Sequence, residues 1–185
     1  MKILSNYKPL LFFLGVLFFA TNCSNDESDI EQGSMVSVKI KGASGDFNQL
    51  IIDIKEVQFL VGTNPINAAW LSLETDNKGR HNISNYTEAN QLILVNSALI
   101  ASESIQKIKL ILGDNNAIML DGEYKPLTSD GEALEISNII TTTLEANKGY
   151  EFTIEIEADN SIFISESNIQ FIPEMNTLMR HMTIG

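Results

Sequence analysis

The chain has 185 residues, 24 acidic against 12 basic side chains, one cysteine, two histidines and a formal net charge of −12. That length suits one domain with a single core behind an N-terminal leader, and the acidic balance argues against a nucleic-acid partner, which needs clustered Lys and Arg. One cysteine excludes an intramolecular disulfide, a CxxC redox pair and a Cys-rich zinc site.

Lys2 and Lys8 precede Leu10 to Ala20, an unbroken apolar run (LLFFLGVLFFA) with Cys23 three residues beyond it. A basic segment before a short apolar one is a secretory signal. The run is well below the roughly 17–25 residues needed to cross a bilayer. Cys23 stands where a lipoprotein signal would be cut, and its setting resembles a lipobox, although Asn22 replaces the usual small residue. That resemblance implies a diacylglyceryl thioether on Cys23 and a further acyl chain on its freed amine. Two or more chains hold a protein stably at a membrane, at about 0.8 kcal/mol per buried methylene. An ordinary secreted protein with one spare thiol is the alternative.

Ser24 to Ser34 (SNDESDIEQGS) holds four acids and no aromatic residue, too little apolar surface to order itself. It is expected to be a tether, reaching at most about 40 Å. An acidic cluster directly after the cysteine also resembles the surface-export signal of Bacteroidota lipoproteins; a merely solvated linker is the other reading. Cleavage after residue 22 removes Lys2 and Lys8 and no acid, making the charge two units more negative. The expected organisation is signal peptide at 1–22, lipidated Cys and tether at 23–34, and one domain at 35–185.

From Met35 the apolar pattern has period two. Val36, Val38 and Ile40 alternate with polar residues; Leu50, Ile52 and Ile54 follow, then Val57, Phe59 and Val61. The parity flips at Lys55–Glu56, which predicts a β-bulge or corner. Ala69 to Leu73 is a short strand around Trp70, with Trp70 expected in the core. Gln91 to Val95 and Ser104 to Leu112 come next, then Ala117 to Leu120 and the Asp121-Gly122 turn of a hairpin. Only Thr87 to Ser104 has spacing that would also suit a helix. Leu134 to Ile136 and Ile139 to Leu144 add β material. Tyr150, Phe152, Ile154 and Ile156 then alternate with Glu151, Thr153, Glu155 and Glu157, predicting a strand with its glutamates in solvent. Ile162 to Ile164 and Ile169 to Ile172 close the series. Many short half-buried strands without intervening helices predict an all-β, antiparallel sandwich or barrel.

Several stretches together resemble the lipoprotein family called domain of unknown function 4382, common in Bacteroidota. They are GDFNQLIIDIKEVQF (Gly45 to Phe59), AWLSL, IQKIKLILGDNNAIMLDGEYKPL (Ile105 to Leu127) and YEFTIEIEADNSIFI (Tyr150 to Ile164). The resemblance spans residues 35–175, and ILGDNN-x-I-x-LDGE is its most specific part. It implies a transthyretin-like or immunoglobulin-like β-sandwich and brings no activity or binding residues. Two turns depart from the family pattern, at Lys41-Gly42-Ala43-Ser44 and Thr128-Ser129-Asp130-Gly131.

Asp114, Asp121 and Glu123, with Asn115 and Asn116, would offer oxygens to calcium, but an apolar strand splits them and the compact DxDxDG spacing is missing. Tight turns use the same residue types. No GxSxG or HExxH occurs, and His81 and His181 read as exposed loop residues. No catalytic residue, metal site or cofactor is therefore expected. Binding residues concentrate on loops held by a rigid scaffold, which nominates Tyr86, Asn115, Asn116, Asp121 and Tyr124. The reading is a non-enzymatic module anchored to the outer membrane through Cys23, serving binding or envelope structure. Its expected partners are the membrane and a glycan or another envelope protein, with no nucleic acid. A fimbrial or assembly subunit working by strand exchange is the alternative.

Overall fold

The computed structural model describes residues 33–42, 47, 49–64, 66–101, 103–128, 134–165 and 168–183. Cys23 and the signal segment lie outside the described residues. Within them no helix is long and apolar enough to cross a membrane.

Strands carry the fold: β1 (Gly33–Ile40), β2 (Leu50–Val61), β3 (Ala69–Leu73), β4 (Gly79–Asn82), β5 (Leu92–Ala101), β6 (Ser104–Leu112), β7 (Ala117–Leu120), β8 (Glu123–Pro126), β9 (Glu135–Thr143), β10 (Gly149–Ile156), β11 (Ile162–Ile164), β12 (Ile169–Phe171) and β13 (Met175–Met182). Among the described residues helical structure is confined to a 3₁₀ turn at Ile83–Asn85 and one turn at Ala158–Ser161. The ambiguous stretch after Thr87 forms β5, where Leu92 and Leu94 point into the core.

Among the described residues two large sheets make an all-β sandwich, and β11 and β12 form a separate two-stranded sheet. A four-stranded sheet runs β13-β10-β1-β5, and a seven-stranded sheet runs β8-β7-β2-β6-β9 with β3 and β4 also on β2. β2 is the spine of the larger sheet. One of its edges pairs with β7 and then β6, the other with β4 and then β3. Ile54 lies opposite Leu112 and Glu56 opposite Ile111, so Lys55 is the extra residue of a bulge. That bulge keeps Leu50, Ile52 and Ile54 on the same inner face as Val57 and Phe59, all fully buried. Each such aliphatic or aromatic side chain contributes roughly 1.5–3 kcal/mol on leaving water. Asp121 (φ 52°) and Gly122 (φ 83°) form the two-residue turn between β7 and β8, as the Asp-Gly pair predicts.

The antiparallel sandwich is as expected, and several finer points differ. Among the described residues an isolated parallel bridge joins Thr128 to Gln170, and one strand pair runs parallel, β1 with β10, Val38 beside Phe152. Both strands enter the smaller sheet from the same end, and alternation carries no information about direction. Strand pairing begins at Gly33, two residues before Met35; Ser34 is fully buried and its Oγ donates to the Glu145 carbonyl at 2.7 Å. The histidines sit on strands, His81 on β4 and His181 on β13, the latter's ring 5.0 Å from the Tyr150 ring and tilted 51° to it. Trp70 faces away from the core, because pairing opposite Leu60 puts it on the outer face of the larger sheet.

The glutamates of β10 divide. Glu155 is half-buried and paired to Lys41 at 3.0 Å. Glu151 is buried on the outer face of its sheet between Lys39 and Arg180, both of which it contacts. Burial pushes its carboxyl pKa up, but hydrogen bonds from Lys39 and Arg180 and their charges outweigh that and hold it below the ordinary carboxylate value.

Candidate functional site

The nominated residues do not form one site. Tyr86 lies after the 3₁₀ turn, whose Ser84 Oγ accepts from the Leu50 amide, on one edge of β2. Asn115, Asn116, Asp121 and Tyr124 lie around β7 and β8 on the other edge, so β2 runs between the two groups. Tyr86 is half-buried against the core, with its hydroxyl 3.4 Å from His81 Nδ1. It borders a small polar depression of about 210 Å³ in which Lys41 meets Glu155 and Glu88. Tyr124 is half exposed and its hydroxyl donates to Gln49 Oε1. Asp121 is an exposed turn residue.

Asn116 is buried, and its whole amide is engaged. Oδ1 accepts from the Asp53 N–H at 2.8 Å, and Nδ2 donates to the Gly113 carbonyl at 2.6 Å. Asn115 Nδ2 and Lys55 Nζ both reach the buried Asp53 carboxylate, at 3.3 and 3.2 Å. Gly113 closes the knot, because a β-carbon there would overlap Asp53 Oδ2 and Lys55 Cε. The GDNN segment therefore ties the turn after β6 to the bulge of β2. Among the described residues no group of three or more His, Cys, Asp or Glu is placed to hold a metal ion.

A different surface has the shape of a binding site. On the outer face of the larger sheet, cross-strand pairing aligns Trp70 (β3), Leu60 (β2), Lys107 (β6) and Ile139 (β9) in one row. Trp70 is 40 % exposed and Ile139 70 %. The next row contains Ser72, Gln58, Lys109 and Ser137. Lys109 Nζ lies 4.0 Å from the Trp70 ring centroid and 2.9 Å from Glu135, which fixes the indole and neutralises the lysine. Hydrogen bonds from Ser72 and Gln58 hold the nearby Glu56 carboxyl below its ordinary pKa, which keeps an anion beside this second row.

Where the first row ends, the sheet opens into a groove of about 500 Å³. Ser104, Gln106 and Lys107 of β6, Thr63 beyond β2, and Thr141 and Thr143 of β9 supply its polar groups. Gln106 Nε2 donates to the Gly62 carbonyl at 2.9 Å, and Ser104 and Thr143 share a hydroxyl bond at 3.2 Å. β9 spends three steps, Thr142 to Ile139, where β6 spends two, Ile105 to Lys107. The extra residue is a bulge beside Thr141, whose φ of 29° is strained for a β-branched side chain. The sequence marks Ile139 to Leu144 only as β material, because a Thr run carries no sign of a bulge.

The fold and this face define an all-β sandwich with a polar groove at the end of its larger sheet. The chain belongs to the family described as domain of unknown function DUF4382, which matches residues 33–173. Neither the curated proteins nor the solved structures contain a match.

Proposed function

We propose that this chain is a non-enzymatic, glycan-binding lipoprotein, held at the outer membrane through Cys23 and exported in the manner of Bacteroidota surface lipoproteins. The observation that carries the binding half is the row from Trp70 to Ile139 running into a groove rich in hydroxyl and amide groups. Sugars present apolar C–H faces and hydroxyl edges, which a half-exposed indole and polar groups on rigid strands complement. The basic n-region, the short apolar run and the acidic segment after Cys23 support the anchoring half.

One experiment addresses each half. In cells, Cys23→Ala should move the protein from the membrane to the soluble fraction and abolish fatty-acid labelling; retention in the membrane removes the anchor. On a glycan array, binding by the full chain should fall at least about tenfold with Trp70→Ala, a loss of about 1.4 kcal/mol. A clean array with concentration-dependent polymerisation would favour the strand-exchange reading instead.

A further inference from the structure

We infer that the groove selects an acidic glycan, one whose sugar carries a carboxylate, and that Lys107 is the residue that reads the charge. This rests on the glycan-binding reading and adds the ligand class to it.

The first ground is the state of the cations. Among the described residues five lysines are half-buried: Lys39, Lys41, Lys107, Lys109 and Lys125. Four of them hold a carboxylate, on Glu151, Glu155, Glu135 and Glu123 respectively. Lys107 alone has no ion pair. A partly desolvated ammonium without a counter-charge is unfavourable, and acids outnumber bases two to one in this chain. An anion brought by a ligand supplies what the protein leaves out.

The second ground is what surrounds it. Among the described residues no acid lines the groove with Lys107; its polar neighbours there are hydroxyls and one amide, all neutral. Glu103 lies in the adjoining depression, beyond Ser104 and Thr143. A carboxylate at Lys107 would therefore meet a cation and hydrogen-bond donors without a like charge in the groove. Ser104, Thr141 and Thr143 would take the ring hydroxyls. The bulge of β9, with Thr141 held at a positive φ, aims this strand's side chains at the same opening, and such strain persists mostly where it serves a site.

The third ground sets an upper limit on ligand charge. The protein's strongly negative field disfavours polyanions at distance, so the fitting ligand carries isolated acidic sugars on a neutral backbone.

The test uses the full chain and calorimetric titration with xylotriose bearing a single glucuronate, with the methyl ester of that same oligosaccharide as the uncharged match. The acid should bind at least about tenfold more tightly than the ester, the scale of a charge-assisted hydrogen bond. Lys107→Gln should bring the ratio of acid to ester affinity close to one, whatever it does to the two affinities separately, without lowering the melting temperature. Equal affinity for acid and ester, both lost on Trp70→Ala, would overturn the charge selection and keep the glycan reading. A preference for the acid that survives Lys107→Gln would also overturn it. Absence of binding to both, together with a clean array, would remove both readings.

Discussion

The rings of Phe59 and Phe152 meet edge to face, 5.1 Å between centroids and 66° between planes. Phe59 comes from β2, the spine of the seven-stranded sheet, and Phe152 from β10 in the four-stranded sheet, so this pair joins the two layers at their centre. Both are fully buried. Phe152→Ala should lower unfolding stability by about 3–5 kcal/mol, through lost burial and the cavity left between the sheets. Chemical denaturation measures this directly, and a loss under about 1 kcal/mol would mean the sheets do not pack there.

Glu151 yields a pH-dependent prediction. Its pKa in the folded protein lies below the ordinary value of 4.5. The group therefore contributes stability that is complete above that value and is lost as pH falls through the lowered one. Glu151→Gln removes the charge-assisted contacts to Lys39 and Arg180 and should cost about 1–3 kcal/mol near neutrality. The gap in melting temperature between wild type and variant should narrow below pH 4.5. A gap that widens on acidification would contradict the assignment.

The Asp53 knot separates two adjacent asparagines. Asn116→Ala strips a buried acceptor from the Asp53 N–H and a donor from the Gly113 carbonyl. Leaving those groups unpaired should cost about 2–3 kcal/mol. Asn115→Ala deletes one long, partly exposed bond to Asp53 and should cost no more than about 0.5–1 kcal/mol. Equal thermal shifts for the two variants would show that the turn is not held as described.

Much of this fold is legible in the sequence because period-two alternation reports which residues share a sheet face. The parity flip at Lys55 locates a bulge, and Asp121-Gly122 locates a hairpin. Direction and covering are not written locally. The parallel pairing of β1 with β10 follows from how connections cross between sheets, and Glu151 is buried only because β1 and β13 bring Lys39 and Arg180 over it. Trp70 misleads for a related reason. AWLSL is apolar on both parities, and only the register with Leu60 decides that the indole faces out. The site was the least legible part. Its groove is assembled from the ends of β2, β6 and β9, residues that a linear reading keeps about 40 positions apart.

Thr141 tests whether the bulge in β9 is tuned for binding rather than for stability. Its φ of 29° lies where a β-branched residue is disfavoured, at a cost of about 1–3 kcal/mol. Glycine adopts that conformation freely, while its greater freedom in the unfolded chain costs about 0.5–1 kcal/mol. Thr141→Gly should therefore be net stabilising by about 1 kcal/mol, raising the melting temperature by about 2–4 °C for a domain of this size. Thr143, two residues on in the same strand, is not among the residues with positive φ, and its hydroxyl bonds Ser104. Thr143→Gly should accordingly destabilise by about 1 kcal/mol. Both variants shorten the set of hydroxyls in the groove, so both should weaken glycan affinity even though their melting temperatures move in opposite directions. If Thr141→Gly melts lower than wild type, the strain at this bulge is not there to be relieved.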